Sequence, residues 1–384
     1  MIPQLSQRGD VEPFHAMDVL ARANELKSQG HQVLSLAVGQ PGAIPPLNVR
    51  QVAADAAMSQ VIGYTNTLGR DDTRQAISKH YRDHYGVNIP AGRIAVTTGS
   101  SAGFSLAFLA LTEPGGRIAI ASPGYPAYRN IIKSLSLEAV EIPASDSTTR
   151  AFDLDALIKE HRKKKIDVLM IASPANPTGS IVREDELRNI IETCEFEGIN
   201  FISDEIYHRL NYVAPDVTAA SMNDQAIIIN SFSKFYCMTG WRIGWMVLPE
   251  HLVRPVERLA QSLYICAPEL SQIAAAQAFD GVRELEAIRQ GYRANRDLLI
   301  ERLPKLNIPF ASPPDGAFYA WCDVSAHTND SMQFAKKMLN EIHVAAAPGL
   351  DFDTVDGGRY MRFSYAGEFD VVSQAVDRLE NWLK

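Results

Sequence analysis

The sequence predicts an α/β protein, with a mostly parallel seven-stranded sheet in a large domain and a smaller α+β domain beside it. Three observations predict this. From about residue 93 to 248, short apolar runs alternate with helical patterns, as strands covered on both faces and their crossover helices do. After residue 250 the pattern changes to long helical stretches followed by a short β-rich region. The residues best suited to chemistry fall just past the carboxyl ends of the expected strands, where wound sheets bind ligands.

The elements follow in order. Segment 1–46 is expected to complete the smaller domain, with the Pro- and Gly-rich Gly39-Gln40-Pro41-Gly42 and Pro45-Pro46 as the crossing. Strands are expected at 94–98, 117–121, 139–142, 168–172, 200–203, 227–230 and 243–247, because these runs are short and almost wholly apolar. Helices at 101–111, 127–136, 154–163 and 184–197 fit between them. Residues 250–303 read as helical, with Gly281 as a break. Strands at 317–324, 344–347 and 360–365 and a last helix over 370–383 close the chain. The expected division is a large domain over 47–280 and a small one made from 1–46 and 281–384.

Composition narrows the function. The chain has 384 residues, 46% hydrophobic and 21% charged, which is ordinary globular make-up with room for a large core. Its net charge of −8 argues against a non-specific nucleic-acid binder. The one basic run, His161-Arg162-Lys163-Lys164-Lys165, reads as a solvated helix end. Cys194, Cys237, Cys266 and Cys322 form no C-x-x-C pair, so thiols in a reducing compartment are expected, with no metal site. No apolar signal core and no stretch long enough to span a membrane is present, and a cytoplasmic protein is expected.

The chemistry gathers around Ser231-Phe232-Ser233-Lys234 and Arg242. Lysine forms imines with carbonyl compounds, while hydroxyls and a guanidinium hold phosphate. A carbonyl-bearing phosphate ester that suits both is pyridoxal phosphate (PLP). Phe232, Phe235 and Trp241 flank the lysine, and burial among them favours a neutral amine. Asp204 closes an apolar run, placed to keep a pyridine nitrogen protonated; a turn-capping aspartate is the plain alternative. Its neighbour Glu205 points the other way in a strand and is not expected to serve the ring. Tyr207 and Asn176 can donate to a phenolic oxygen, although Asn176-Pro177-Thr178-Gly179 alone is also a turn signature. Gly99-Ser100-Ser101 opens a helix and offers a phosphate seat, or simply an N-cap. Tyr125 can stack on a ring. Arg362 alternates with apolar residues on a strand-like segment, and a buried arginine needs an anion, either a substrate carboxylate or an internal partner. Arg359 is expected to face solvent.

This ordered set resembles the class I/II aminotransferases of PLP fold type I, the aspartate-aminotransferase type. The resemblance runs from Gly39-Gln40-Pro41 to Arg362 through Tyr64, Gly99-Ser100-Ser101, Tyr125, Ser173-Pro174-Ala175-Asn176-Pro177-Thr178-Gly179, Asp204-Glu205-Ile206-Tyr207, Ser231-Phe232-Ser233-Lys234 and Arg242. It implies a PLP-dependent transaminase moving an amino group from an L-amino acid to a 2-keto acid in a ping-pong cycle through a Lys234 Schiff base. Asp204 would partner the pyridine nitrogen, and Asn176 and Tyr207 the phenolic oxygen. Tyr125 would stack on the ring. Ser100, Ser101, Ser231, Ser233 and Arg242 would surround the phosphate. Arg362, helped by the Gly39 backbone, would anchor the substrate carboxylate. Tyr64 would reach the phosphate of a neighbouring subunit, which implies a homodimer with shared active sites. Cis peptides are implied at Asn176–Pro177 and Ser122–Pro123.

The chain also departs from the family pattern. Gly42-Ala43 stands where an acidic residue and an aromatic often follow the G-x-P motif, and Pro126-Ala127-Tyr128 lacks the polar residues of dicarboxylate-specific members. No second arginine for a side-chain carboxylate stands out, so aspartate is not the expected donor. Phe14, Tyr64, Tyr264 and Ile265 suggest a mixed aromatic–aliphatic pocket. The alternative on the same scaffold is a C–S β-lyase, a decarboxylase or a synthase; lyases of this type tend to carry a histidine in the Asn-Pro loop, which is absent here.

Overall fold

The computed structural model describes residues 4–144 and 152–384. The chain opens with α1 (His15–Ser28), β1 (Leu34–Leu36), α2 (Leu47–Ser59) and α3 (Asp71–His80). A regular alternation follows: β2 (Ile94–Thr97), α4 (Ser100–Leu111), β3 (Arg117–Ser122), α5 (Pro126–Ser134), β4 (Glu138–Pro143), α6 (Leu154–Lys163), β5 (Val168–Ala172), α7 (Glu184–Glu197), β6 (Asn200–Asp204), β7 (Ile227–Ser231) and β8 (Gly244–Val247). The remainder is α8 (Glu250–Tyr264), α9 (Glu269–Ala276), α10 (Val282–Arg302), β9 (Tyr319–Asp323), α11 (Ser331–Ile342), β10 (Val344–Pro348), β11 (Tyr360–Ser364) and α12 (Phe369–Leu383).

Seven strands form one sheet in the order β2-β8-β7-β6-β5-β3-β4. Only β8 runs against its neighbours; β4, β3, β5, β6 and β7 are parallel. The expected mostly parallel seven-stranded sheet is therefore the one found. Helices cover both faces, which is why β7 and β8 are buried at every residue. The strand repeat of two divides their side chains between faces. Ile228 joins one core cluster, while Ile227 and Ile229 join the other.

A second sheet has the order β1-β10-β11-β9. Strand β1 pairs parallel to β10, with Leu34 opposite Val344. Strand β11 runs antiparallel to both neighbours and sets Arg362 between Ala347 and Trp321.

The boundaries differ from expectation in ways with local causes. Helix α5 stops at Ser134, because Ser136 turns left-handed (φ 61°) and its carbonyl accepts from Gly115 N. The helical stretch after residue 250 is broken at a second place. Ile265 leaves α8 at φ 68°, and α9 restarts behind Pro268, a residue preorganised for a helix start. Ser122–Pro123 and Asn176–Pro177 are cis as expected, and Ser173–Pro174 is a third cis bond.

Phe232 shows how the core supports the loop after β7. Fully buried, it packs on Trp245 at 4.8 Å, Tyr236 at 5.2 Å and Phe279 at 5.4 Å between ring centroids. Phe232→Ala is expected to lower unfolding free energy by about 3–5 kcal/mol in urea titrations. A loss below about 1 kcal/mol would mean that this cluster does not anchor the loop.

Candidate active site

Parallel strands bring their carboxyl ends to one edge, and the expected site residues follow from that edge. Asp204 ends β6, and Ser233 and Lys234 lie just beyond β7. Asn176 follows β5, Tyr125 follows β3, and Ser100 starts α4 after β2. Arg242 precedes β8, whose reversed direction puts its amino end at the same edge. Together with Gly39, Ser101, Tyr207 and Arg362 they line one cavity of about 240 Å³. The structure places Ser231 and Tyr64 elsewhere. As the last residue of β7, Ser231 is buried behind the cavity, its hydroxyl donating to the Ile243 carbonyl at 3.1 Å and sharing a hydrogen bond with the Ser233 hydroxyl at 2.9 Å. Tyr64 is 82% exposed on the outer surface.

Lys234 Nζ donates to the Gly39 carbonyl at 2.6 Å and lies 5.4 Å from the Tyr207 ring centre. Burial, with the nearby Arg362 charge, pushes this amine down to about 7, against the pull of Asp204. Asp204 is 2% exposed. Its carboxylate accepts from the Tyr128 hydroxyl and, at 3.1 Å, from Ile206 N. Burial nevertheless pushes it up to about 7, because two donors do not replace a solvation shell. Glu205 faces away from the cavity, accepting from Ser203 Oγ, Thr218 Oγ1 and Ala219 N.

Arg362 is 4% exposed. One Nη donates to Asn176 Oδ1 at 2.9 Å and the other to the Ala37 carbonyl at 2.7 Å. The guanidinium lies between two aromatic rings, 4.3 Å from the Tyr319 centroid and 4.5 Å from that of Phe352. Its Nε is buried without a hydrogen-bond partner. Arg359, by contrast, pairs at the surface with Asp323 at 2.7 Å.

Two glycines are required by close approach. A Cβ on Gly39 would stand 2.3 Å from the Tyr319 hydroxyl. Gly99 has φ +83°, and a Cβ there would lie 2.5 Å from an Arg242 Nη, so only glycine lets the guanidinium sit against the start of α4.

Tyr128 and Tyr319 are cavity residues absent from the expected set. Tyr128 had a readable signal, since it lies three residues past Tyr125 on the first turn of α5 and so shares its face. Tyr319 had none. It comes from β9 of the other sheet and meets the Tyr207 hydroxyl at 2.7 Å. Phe14 at the start of the first helix, Ala16, Met17 and Leu20 within it, and Phe352 also line the cavity. Lys234, Arg242 and Arg362 are its cations among the described residues.

A wound sheet with a lysine, a buried carboxylate and a buried arginine at its carboxyl edge is the arrangement of a fold type I transaminase. Residues 31–379 match the family model for class I and II aminotransferases, and the chain belongs to that family. It is 41% identical to the valine–pyruvate aminotransferase of Mycobacterium tuberculosis over 387 aligned positions, covering 100% of this chain and 99% of the relative. It is 32% identical to the (5-formylfuran-3-yl)methyl phosphate transaminase of Methanocaldococcus jannaschii, with 97% of each chain covered. An aminotransferase crystal structure from Mycobacterium tuberculosis superposes with a TM-score of 0.96 at 41% identity, covering 100% of this chain and 99% of the other. Aspartate aminotransferase from Thermus thermophilus with maleate superposes with a TM-score of 0.92 at 26% identity, covering 99% of this chain and 100% of the other. The protein is an aminotransferase with the aspartate-aminotransferase fold.

The depressed proton affinity of Lys234 has a consequence for stability. The Lys234 amine is pushed down from 10.5 to about 7, so between these values the unfolded chain binds more protons and stability rises with pH. Asp204, raised from 3.8 to about 7, acts in the window below, where stability falls as pH rises. Lys234→Met is expected to flatten the rise in urea midpoint between about pH 7 and 10 relative to the unsubstituted protein. Equal slopes would remove Lys234 as a depressed, buried amine.

Proposed function

We propose that the protein uses PLP to transfer the amino group of an L-amino acid with a compact apolar side chain, valine being the reference donor, to a 2-keto acid such as pyruvate. The observation that carries this reading is the charge inventory of the cavity. Lys234 and Arg242 flank the cofactor seat, Arg362 is committed to an α-carboxylate, and the remaining wall from Phe14 to Leu20 is apolar. A dicarboxylate donor would leave its second charge unpaired there. The name of the valine–pyruvate relative points the same way.

The residues present fit PLP. Asp204 is a buried carboxylate whose two donors do not fully stabilise its charge, and a protonated ring nitrogen would supply the missing cation. Ser100, Ser101 and Ser233 with Arg242 form a donor-rich seat at the start of α4 for a phosphate, and Ser231 backs Ser233. Asn176, with Oδ1 turned to Arg362, leaves its amide N–H groups for the phenolic oxygen. Tyr207 offers a second donor there, and Tyr125 a ring to stack. When bound, PLP serves as electron sink for the bond broken at the donor Cα and carries the amino group between the two halves of the cycle.

The chain's own groups do the rest. Lys234, whose amine is pushed down to about 7, would hold the cofactor and move the Cα proton. Arg362 Nε, unpartnered in the protein alone, and its Nη groups take the substrate carboxylate, orienting the Cα–H bond toward Lys234. The Tyr319 and Phe352 rings hold the guanidinium planar to that carboxylate.

The domain reading follows from these roles. Residues 47–280 carry the cofactor seat, while 1–46 and 281–384 carry Gly39 and Arg362. A homodimer is proposed because Tyr64, Val61, Met58 and Leu263 expose large apolar surface. The loop around Tyr64 touches the end of α8 through Thr65 N and Cys266 Sγ at 3.4 Å. A second copy covering this face would receive Tyr64 at its phosphate seat. Among the described residues no helix is long and apolar enough to cross a membrane. The four cysteines are unpaired thiols, in keeping with a cytoplasmic setting.

Reconstituted with PLP, the protein is expected to lose its visible absorption band on adding valine alone and to regain it with pyruvate, and Lys234→Ala to lose steady-state turnover. A band that stays while aspartate discharges it would overturn the donor assignment. Pyruvate released from cysteine without any acceptor would favour the lyase. Arg362→Lys is expected to raise the valine KM at least about tenfold while PLP stays bound, since a point charge replaces a planar fork. An unchanged KM removes Arg362 from the carboxylate role.

A further inference from the structure

The first helix forms one wall of the cavity, yet its own N-cap residue does not secure its first amides. Phe14 stands at its N-cap and supplies no side-chain hydrogen bond, and the first amides of a helix lack intrahelical acceptors. The acceptor comes from the far end of the chain. Asp351 is 3% exposed, and its carboxylate takes the His15 amide on one oxygen at 2.8 Å and the Ala16 amide on the other at 2.7 Å.

Asp351 is itself held. Its carbonyl accepts from an Arg129 Nη at 2.6 Å, and Arg129 pairs with Glu141 at 3.2 Å. The next residue, Phe352, accepts at its carbonyl from Gly124 N at 2.9 Å and places its ring against Arg362. On the helix side, the Phe14 ring meets the Tyr125 ring edge-on at 5.8 Å. The dipeptide Asp351-Phe352 thus ties the apolar wall, the carboxylate anchor and the Tyr125 loop into one unit.

We propose that Asp351 is a specificity-positioning residue. By clamping the first two amides of α1 it fixes Phe14, Ala16, Met17 and Leu20 at their distance from Arg362 and so sets the width available to the donor side chain. This rests on the reading that an apolar donor side chain lies against that wall. A neutral or shorter residue leaves the amides with one acceptor or none, the helix start loosens, and compact donors lose contact while bulky ones gain room. Asp351 makes no hydrogen bond to Lys234 or Arg362, although its charge is felt at Arg362.

The test measures kcat and KM for valine, phenylalanine and aspartate with the PLP-loaded full-length protein, its Asp351→Asn and Asp351→Ser variants, and Leu20→Ala, which widens the wall without disturbing the clamp. The Asp351 variants are expected to raise the valine KM about fivefold with kcat within about twofold, to shift the phenylalanine-to-valine ratio of kcat/KM at least about fivefold toward phenylalanine, and to keep PLP affinity. Leu20→Ala is expected to shift that ratio the same way. An unchanged ratio in the Asp351 variants, or a parallel loss for every donor with a lowered Tm, would overturn the clamp's role in specificity. An unchanged ratio in Leu20→Ala would overturn it even if the Asp351 variants fail to fold. Aspartate preferred over valine by the unsubstituted protein would instead sink the underlying donor reading.

Discussion

Asp204, Lys234 and Arg362 face one cavity largely removed from water, and keeping these three charges there is the constraint on which the rest of the structure depends. Burying an ionised group costs several kcal/mol unless partners replace its solvation. The partners come from separate parts of the chain. Asp204 draws on Tyr128 of α5 and the Ile206 amide, while Arg362 draws on Asn176, Ala37 and two aromatic rings. Lys234 has the Gly39 carbonyl. For Lys234 and Asp204 the compensation is incomplete, and their affinities for protons move toward neutrality as a result. In the proposed reading, that residual cost is what a cofactor and a carboxylate substrate would relieve.

The same contacts join the two sheets. Tyr207 follows a strand of the seven-stranded sheet and Tyr319 lies on the four-stranded one, and their hydroxyls meet at 2.7 Å. Arg362 reaches Asn176 from the smaller sheet, and Gly39 passes close enough to Tyr319 that a single methyl would collide. The position of Arg362 relative to Lys234 is therefore set by short polar contacts and steric limits, which tolerate little displacement.

In the proposed reading, donor choice is decided at a different place. The polar residues of the cavity lie mostly at strand ends and follow the sheet, while its apolar wall comes from the first helix and the segment near Phe352. Relatives that share this fold include an enzyme named for valine and pyruvate and one named for aspartate. A scaffold that keeps the sheet edge and varies a peripheral wall can serve both.

The strand–helix alternation, the parallel sheet and the identities of Lys234, Asp204, Asn176, Arg242 and Arg362 were legible in the sequence. They depend on local periodicity and on short motifs whose spacing places them at strand ends. Tyr128 was half legible, through its three-residue spacing from Tyr125 on a helix. Ser231 was placed by its motif, but its position as the last residue of a buried strand turned its hydroxyl behind the cavity. Tyr319, Phe352 and Asp351 carried no local signal: Tyr319 meets Tyr207, Asp351 the start of the first helix and the Phe352 carbonyl Gly124 N, each more than a hundred residues away in sequence. What the sequence determined by itself was the fold class and the reactive groups, because periodicity and motif spacing are properties of neighbouring residues. Only the tertiary structure decided how those charges are compensated and how wide the donor compartment is, because both arise where distant segments meet.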